Sequence, residues 1–334
     1  MRVALDIMSG DESPRSRIRA ALRALNKYDY LELLLVGDND LLQSYLNDVG
    51  YYDRGRLSLI HADATVAMDD KPSLALRTKR HSSMWQTLEC VSDGRADACV
   101  SAGNTGALMA MGRFVLKTFA GVDRPAIAAS VPSRNGSTLL LDVGANVDCT
   151  SMQLFQFAIM GSQLANAAHG IDRPRIGLLN VGTEEIKGNE RVRIAHQLLN
   201  EHKQLNYIGY IEGHDIFSDR VDVVVCDGFA GNIALKTGEG VASLIADTLT
   251  EIFSRNLVTQ GLAVLLSPIL KEFNRKVDPE LHNGASLLGL QGTVIKSHGG
   301  ADEKGFYRAI CQAVREAGKE VPARLAADVE KMLL

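Results

Sequence analysis

The chain has 334 residues, of which 46% are apolar and 23% are charged, an ordinary balance for a soluble globular protein. A net charge of −4 and an aromatic content of 5% argue against a nucleic-acid-binding surface. The sequence turns acidic at Asp6, too early for a signal peptide, and it has no run of about 18 apolar residues that could span a membrane. We therefore expect a cytoplasmic protein.

Short apolar runs typical of β-strands alternate with helical patterns along the chain. Several runs, such as the one at 33–36, are continuously apolar, which favours strands buried on both faces. Helical periodicity is clearest at 15–26, 153–168 and 233–253. The predicted strands are 2–8, 31–37, 57–61, 98–101, 126–131, 138–143, 175–181, 207–210 and 221–226. This alternation predicts an α/β fold, a doubly wound α/β/α sandwich with a mostly parallel sheet.

Neither composition nor spacing divides the chain, and we expect a single domain over residues 1–334. The stretch 303–334 is predicted to form two amphipathic helices, broken near Val321 and Pro322.

The sequence lacks the motifs that mark common catalytic and cofactor sites: the phosphate loop, the dinucleotide fingerprint, the nucleophile elbow and the HExxH zinc motif. Its five cysteines form no CxxC pair, and its eight histidines are too scattered to suggest a metal site. We expect buried, reduced thiols, and neither a metal nor a cofactor.

Glycine and small polar residues follow several predicted strands, where α/β folds bind their ligands. The segment 101–106, Ser-Ala-Gly-Asn-Thr-Gly, opens a predicted helix at 107–116. Its glycines would let a ligand approach the backbone, and the helix N-terminus would offer N–H groups and a partial positive charge to an anion. The same residues would also suit an ordinary turn with Asn104 or Thr105 as the helix N-cap.

Three further loops share this design. The segment 227–232 opens the predicted helix from Ile233, the segment 142–146 ends a strand with Asp142, and the segment 180–190 is unusually polar. In the last of these, Lys187 lies between two glycine-containing turns. It could be a mobile cation for phosphate or a solvated surface lysine.

Two more glycine-rich loops are predicted near the C-terminus, at 283–292 and 297–302. His298 lies among small residues in the second loop, and both a catalytic and a structural role remain open for it.

Together, these segments resemble sequence blocks of the PlsX phosphate acyltransferases. The blocks follow the family's order from about residue 2 to residue 312, and seven collinear blocks are far more specific than any one of them. The family's first loop usually reads Met-Gly-Gly-Asp, whereas here it is Met8-Ser9-Gly10-Asp11, so Ser9 must adopt a negative φ. The matching segments are 68–72 with 82–84, 101–107, 141–146, 179–184 with 187–190, 213–216, 225–229 with Gly231, Asn232 and Lys236, and the two late loops.

The resemblance implies a Rossmann-like fold, related to the phosphotransacetylases and the isopropylmalate dehydrogenases, and a homodimer. It implies transfer of a long-chain fatty acyl group from acyl carrier protein to inorganic phosphate. The acyl phosphate would pass to a membrane glycerol-3-phosphate acyltransferase, as the first dedicated step of phospholipid synthesis. The carrier protein is acidic. Arg77, Lys79 and Arg80 are one candidate dock for it, and the basic residues around the apolar segment 255–273 are another.

This reaction needs neither a catalytic triad nor a metal. Phosphate is largely dianionic near neutral pH, and a thiol with a pKa of about 8.5 can leave as a thiolate. We expect Lys187 to be the cation for phosphate, Asn232 and the backbone N–H of Gly231 to stabilise the thioester oxyanion, and His298 to polarise a reacting group. The predicted substrate-binding and phosphate-binding residues are Gly103, Asn104, Thr105, Asp142, Asn146, Asn180, Asp227, Gly231 and Ser286.

The segment 255–273 has a different pattern. Its aliphatic residues recur about four apart, and Pro268 is predicted to break or kink the helix. The pattern suits a core or dimer helix, or an interfacial helix on anionic lipid. The resemblance favours the second interpretation, a protruding amphipathic segment at about 254–276 that makes the protein peripherally membrane-associated. The predicted membrane contacts are Leu257, Leu262, Leu265 and Leu266, flanked by basic Arg255, Lys271, Arg275 and Lys276.

Three other functions remain open. A phosphotransacetylase acting on acyl-CoA would use the same loops with a different donor. A dehydrogenase of the isopropylmalate type would need an acidic metal cluster and a dinucleotide fingerprint, which are missing. A non-catalytic membrane-associated scaffold would leave the polar loop at 180–190 unexplained.

Overall fold

A computed structural model describes residues 1–49, 52–277 and 283–333, apart from the side chains of 274–277 and 333. Within these residues, eleven strands form one sheet. The strands are β1 Arg2–Asp6, β2 Glu32–Gly37, β3 Leu57–His61, β4 Ala98–Ser101, β5 Ala126–Ser133, β6 Gly136–Leu141, β7 Arg175–Leu179, β8 Asn206–Ile211, β9 Val223–Val225, β10 Ala285–Leu288 and β11 Thr293–Lys296.

Twelve α-helices connect and cover these strands in the described part of the chain. They are α1 Pro14–Lys27, α2 Asn39–Asp48, α3 Pro72–Thr78, α4 Ser83–Ser92, α5 Thr105–Val115, α6 Ser151–His169, α7 Glu190–Glu201, α8 Gly228–Ser254, α9 Leu257–Leu265, α10 Ser267–Val277, α11 Glu303–Gly318 and α12 Val321–Leu333. The predicted α/β architecture is confirmed, and so is the break between two C-terminal helices near Val321.

The strand order is β3-β2-β1-β4-β11-β10-β5-β6-β9-β7-β8. Two groups of parallel strands, β3-β2-β1-β4-β11 and β6-β9-β7-β8, run in opposite directions. β10 and β5 separate them, and the pairs β11–β10, β10–β5 and β5–β6 are antiparallel. β5 and β6 form a tight hairpin, and a two-residue connection can join only antiparallel strands. The sheet is therefore mostly parallel, as predicted, with an antiparallel centre.

The prediction of a loop over 283–292 was wrong, because β10 lies within it. The strand is only four residues long and is flanked by Gly284 and Gly289, both with positive φ. Short strands between glycines lack the apolar run that marked the other strands.

Both faces of the sheet are buried, which explains the continuous apolar runs. Val3 and Leu5 of β1 pack in one cluster with α1 and α11 residues such as Phe306, whereas Ala4 packs with α4 and α5 on the opposite face. In the second parallel group, Leu141 packs with α6 and its neighbour Leu140 packs on the other face.

Helices α8, α9 and α10 form an exposed arm after β9. Only Gly228 and Gly231 are buried in the 27-residue α8, and no residue of α9 is buried. The predicted break is confirmed, since Leu266 caps α9 and Pro268 lies in the first turn of α10, where proline is compatible with a helix. None of the helices in the described residues is long and apolar enough to cross a bilayer.

Candidate functional site

The predicted catalytic and substrate-binding residues, with the exception of Ser286, fall at two edges of the sheet. We call the C-terminal ends of β1, β4 and β11, with their loops at 7–11, 102–104 and 297–300, the first edge. We call the C-terminal ends of β6, β9 and β7, with their loops at 142–146, 180–189 and 226–232, the second edge. Gly103, Asn104, Thr105 and His298 lie at the first edge, and Asp142, Asn146, Asn180, Lys187, Asp227, Gly231 and Asn232 lie at the second.

The first edge is built on buried polar side chains. Ser101 Oγ donates to Asp6 Oδ2 over 2.7 Å and accepts from the N–H of Gly103, while Ser9 Oγ accepts from the N–H of Ala102. Burial raises the pKa of Asp6. Arg17 is also buried, and its Nε and Nη2 have no hydrogen-bond partner among the described residues. A cation and a carboxyl thus lie beneath the loops.

The backbone of the loop at 7–11 explains why a serine is compatible with position 9. Gly10, not Ser9, has the positive φ, at 85°, and a Cβ at Gly10 would lie 2.5 Å from Arg17 Nη2. Ser9 has negative φ and adds hydrogen bonds to Asp6 and Ser101 that a glycine could not make. The departure from the PlsX pattern is therefore compatible with the loop.

Asn104 is the N-cap of α5. Its Oδ1 accepts from the N–H of Ala107 over 2.9 Å, and its Nδ2 donates to the carbonyls of Met68 and Asp70. Thr105 is the first helical residue. The side chain of Asn104 therefore has structural partners for both its oxygen and its nitrogen, and any contact with phosphate would be additional.

His298 and Ser286 have different surroundings. His298 is exposed at the first edge, and its Nδ1 accepts from the N–H of Gly300 over 3.2 Å. Ser286 is buried within β10, and its Oγ donates to the carboxylate of Glu316 on α11. Ser286 therefore lies in the core and at neither edge. Lys296, at the end of β11, is also buried, which lowers the pKa of its amine to about 8.

At the second edge, Asp142 and Asn146 hold the loop after β6 together. Asp142 is fully buried, with one carboxylate oxygen accepting from the N–H groups of Ile127 and Ala145 and the other from Asn146. Asn146 Nδ2 also donates to the carbonyl of Pro125 over 2.8 Å. Burial raises the pKa of Asp142, although these hydrogen bonds act in the opposite direction and lower it. Both side chains support the loop from below.

Helix α8 begins at Gly228, five residues earlier than predicted, because Asp227 Oδ1 caps it by accepting from the N–H of Ala230. A Cβ at Gly231 would lie 1.9 Å from the carbonyl oxygen of Asp142, so only glycine allows this close docking of the helix. The N–H of Gly231 donates to the carbonyl of Asp227. This N–H, which was predicted to stabilise the oxyanion, therefore already has a partner within the helix.

The first turn of α8 supplies two other donors. The backbone N–H of Phe229 has no partner among the described residues. Asn232 is half-buried, and its Nδ2 lies 3.2 Å from the carbonyl oxygen of Val143. A Cβ at Gly144 would come within 2.7 Å of this amide, so Gly144 keeps space for it. Sequence reasoning missed Phe229 because a backbone donor leaves no side-chain signal.

The loop after β7 folds around Asn180, whose Nδ2 donates to the carbonyls of Gly182 and Lys187. Gly188 has a positive φ of 87°, and a Cβ there would lie 2.3 Å from Asn180 Oδ1. The Lys187 side chain is exposed, and its amine has no hydrogen-bond or ion-pair partner among the described residues. The loop therefore presents an unpaired cation, and it follows a strand that neighbours β9.

The two edges are related by the twist of the sheet. Sheets twist by about 20–25° per strand, which amounts to roughly 100–125° over the five steps from β4 to β9. The strands that form the two edges run in opposite directions. Within the described residues, no hydrogen bond joins the loops of one edge to those of the other.

Comparison with known proteins identifies the family. A family model described as fatty acid synthesis protein matches residues 1–324. Phosphate acyltransferases from Halorhodospira halophila and Hydrogenovibrio crunogenus are 52% and 50% identical to this chain, over 99% and 100% of it and over 96% and 98% of their own lengths. The chain belongs to the fatty acid synthesis protein family. It is thus an acyltransferase, and the resemblance to the PlsX family is confirmed.

The fold of the enzyme is also found among solved structures. A phosphotransacetylase from Streptococcus pyogenes superimposes with a TM-score of 0.67 at 17% identity, over 95% of this chain and 94% of that one. At this identity the likeness concerns the fold alone. It confirms the predicted phosphotransacetylase-like architecture.

Proposed function

We propose that the enzyme transfers a long-chain fatty acyl group from acyl carrier protein to inorganic phosphate, giving acyl phosphate. The observation that carries the proposal is the second edge, where the unpaired amine of Lys187 lies in the loop beside a helix start that offers Asn232 and the Phe229 N–H. Relatives about half identical over their full length are phosphate acyltransferases, which supports phosphate as the acceptor.

The proposed reaction is a direct displacement. An oxygen of HPO₄²⁻ attacks the thioester carbon and forms the new C–O bond, and the tetrahedral oxyanion accepts hydrogen bonds from Asn232 Nδ2 and the Phe229 N–H. The C–S bond then breaks, and the thiolate takes the proton that the phosphate carried. Lys187 offsets the charge of the phosphate dianion throughout.

The thiols near the second edge support a direct transfer. Burial raises the pKa of Cys149 to about 12 and raises the pKa of Cys226, whose Sγ lies 3.2 Å from the carbonyl oxygen of Leu141. The thiolate is the nucleophilic form of cysteine. Neither residue is therefore suited to carry the acyl group between donor and phosphate.

The direct test measures loss of the thioester from palmitoyl acyl carrier protein with and without inorganic phosphate, together with palmitoyl phosphate. Phosphate-dependent formation of this product is the expected result. Activity with acetyl-CoA but not with the carrier-bound donor would instead identify a phosphotransacetylase. Inactivity with both donors would contradict the proposal and favour the scaffold function.

We further propose that α9 and α10 rest on an anionic membrane, so that the enzyme is cytoplasmic and peripherally membrane-associated. Leu257 and Leu265 are 85% and 76% exposed, and Leu262 and Ile269 add to the same apolar surface. Leu266 is half-buried between the two helices. Flanking Arg255 and Lys271 supply positive charge, whereas the side chains of Arg275 and Lys276 lie outside the described residues. Such a surface suits interfacial binding.

Co-sedimentation with vesicles containing an anionic lipid tests this contact. Leu262→Glu and Leu265→Glu should each reduce the bound fraction, because a carboxylate opposes insertion into the bilayer interface. Leu74→Glu, at an exposed leucine of α3, is the matched control. Equal binding by all three variants would contradict the proposal. If the proposal holds, a membrane glycerol-3-phosphate acyltransferase would receive the acyl phosphate at this membrane-bound surface.

A homodimer is proposed on the exposed apolar side chains of α8, which include Val241, Leu244 and Ile245. Patches of this kind usually mark an interface with another protein or a membrane. Sedimentation equilibrium of the enzyme should give a dimer, and Leu244→Glu should weaken it. A monomeric wild-type enzyme would contradict this part of the proposal.

A further inference from the structure

The second edge carries an unusual number of exposed apolar side chains. Val181 and Ile186 are the most exposed members, at 79% and 83%, although the loop that contains them is otherwise polar. We call the five residues that share this exposure the apolar rim: Val147, Val181, Ile186, Phe229 and Ile233.

The apolar rim is interleaved with the proposed chemical groups. Ile186 directly precedes Lys187, and Phe229 and Ile233 flank Asn232 on the first turns of α8. Val147 follows Asn146 in the loop after β6, which is paired with β9. Three neighbouring strand ends thus place apolar surface around a cation and amide donors.

We propose that the apolar rim is the binding site for the acyl chain of the donor. This inference rests on the proposed function, because it requires that the acyl carbon reacts beside Asn232 and Lys187. An acyl thioester and an acyl phosphate both join a polar, reacting head to a long apolar tail, and the second edge has the same division of polar and apolar groups. A polar small-molecule donor would leave these five side chains in water.

The helix that carries part of the rim also leads into the exposed arm. Beyond Ile233, α8 extends to exposed Ile252 near its C-terminal end and is followed by the apolar residues of α9. A helix rises about 1.5 Å per residue, so α8 spans roughly 40 Å between the second edge and that end. Helix α8 therefore leads from the rim toward the proposed membrane contact.

Chain-length selectivity tests the inference. Acyl carrier protein loaded with butyryl or palmitoyl chains serves as the donor, and kcat/KM is measured for both. Burying a side chain such as Ile or Val contributes about tenfold or more in binding. Ile186→Ser and Val181→Ser should therefore each lower kcat/KM for the palmitoyl donor by about tenfold, and for the butyryl donor by no more than about threefold. Ile186→Leu should restore the preference for the long chain.

Tyr30→Ser is the matched control, because Tyr30 is a 59% exposed apolar residue outside the rim. It lies at the N-terminal end of β2, whereas the loops of both edges follow the C-terminal ends of their strands. Equal losses with both donors in the rim variants would overturn the inference. Losses that accompany a change in sedimentation would also overturn it, by identifying the rim as an interface between copies of the chain. A wild type that forms no acyl phosphate would instead contradict the proposed function itself.

Discussion

The two edges of the sheet have similar loop sequences but different surroundings for their polar groups. Both consist of glycine-rich loops at the ends of parallel strands over buried polar side chains, but the second edge also presents an exposed, unpaired cation. Asp6, Arg17 and Lys296 are buried beneath the first edge, and Ser101 joins three of its groups. At the second edge, Lys187 is exposed and unpaired, and the Phe229 N–H is free among the described residues.

Because of this difference, substitutions at the two edges should affect different quantities, the free energy of unfolding or the turnover rate. Removing a buried hydrogen-bonding partner leaves the other group unsatisfied, which costs more than the bond itself contributed. Exposed groups can be removed without such a loss. Substitutions in the buried network of the first edge should therefore act mainly on the free energy of unfolding, and substitutions at the donors and the cation of the second edge mainly on turnover.

The largest expected effect is at Asn232. Asn232→Ala removes one proposed oxyanion donor and should lower kcat by about 10²–10³-fold. The free energy of unfolding should change by only about 1 kcal/mol, since the side chain makes one hydrogen bond. Steady-state kinetics and urea unfolding measure the two quantities. Asn166→Ala, at an exposed asparagine of α6, is the control, and similar kcat values for both variants would remove the proposed role.

Ser101→Ala should show the opposite balance. The substitution leaves Asp6 Oδ2 and the N–H of Gly103 without their buried partner, so the free energy of unfolding should fall by about 1–3 kcal/mol. Ser243→Ala, on the exposed part of α8, should change it by less than about 0.5 kcal/mol. Urea denaturation at neutral pH makes the comparison. Equal free energies of unfolding for Ser101→Ala and Ser243→Ala would contradict this prediction, because the buried hydrogen bonds of Ser101 would then add nothing to stability.

Asn104 distinguishes the two interpretations of its loop. Asn104→Ala should lower the free energy of unfolding by about 1 kcal/mol through loss of the N-cap, and Asn104→Ser should restore most of this stability. If the amide also binds phosphate, both variants should raise the KM for phosphate by about tenfold, equivalent to about 1.4 kcal/mol. A wild-type KM in the serine variant would leave Asn104 with a structural role only.

The smallest effect concerns the pH dependence of stability. Burial raises the pKa of Glu316 above its ordinary 4.5, so the native state holds a proton that the unfolded chain releases. This contribution to stability is fully present below about pH 4.5 and is lost as the pH rises through the raised pKa. Glutamine is always neutral, so Glu316→Gln should gain stability relative to wild type between about pH 5 and about pH 8. Urea unfolding of both proteins at these two pH values checks this. The same difference in the free energy of unfolding between variant and wild type at both pH values would contradict it.

The sequence predicted the elements whose signal lies in side-chain pattern. Nine strands could be located because burial on both faces demands continuous apolar runs, and the Pro268 break followed from the missing N–H of proline. The start of α8 was placed too late, because Gly228 and Gly231 have poor helix propensity. Their presence is explained only by the carbonyls of Asn146 and Asp142 packed against them.

The candidate site was predicted less completely, for a physical reason. Side-chain identity indicates which chemistry is available, but the partners of a side chain depend on tertiary contacts. Asp142 and Asn104 have the residue types of ligand-binding groups, yet both have hydrogen-bond partners within the protein. The buried charge of Arg17 and the exposure of Ile186 reverse the usual tendencies of arginine and isoleucine, and sequence alone gives no sign of either.

The position of β10 and β11 has a consequence for synthesis of the chain. β4 and β5 are not neighbours, and the sheet becomes continuous only when the last two strands insert between them. A nascent chain that ends before residue 285 therefore holds two separate partial sheets, with β4 and β5 as unpaired edges. Such edges invite pairing with other chains. Emergence of the segment 285–296 from the ribosome is thus the step that joins the two partial sheets and removes both open edges.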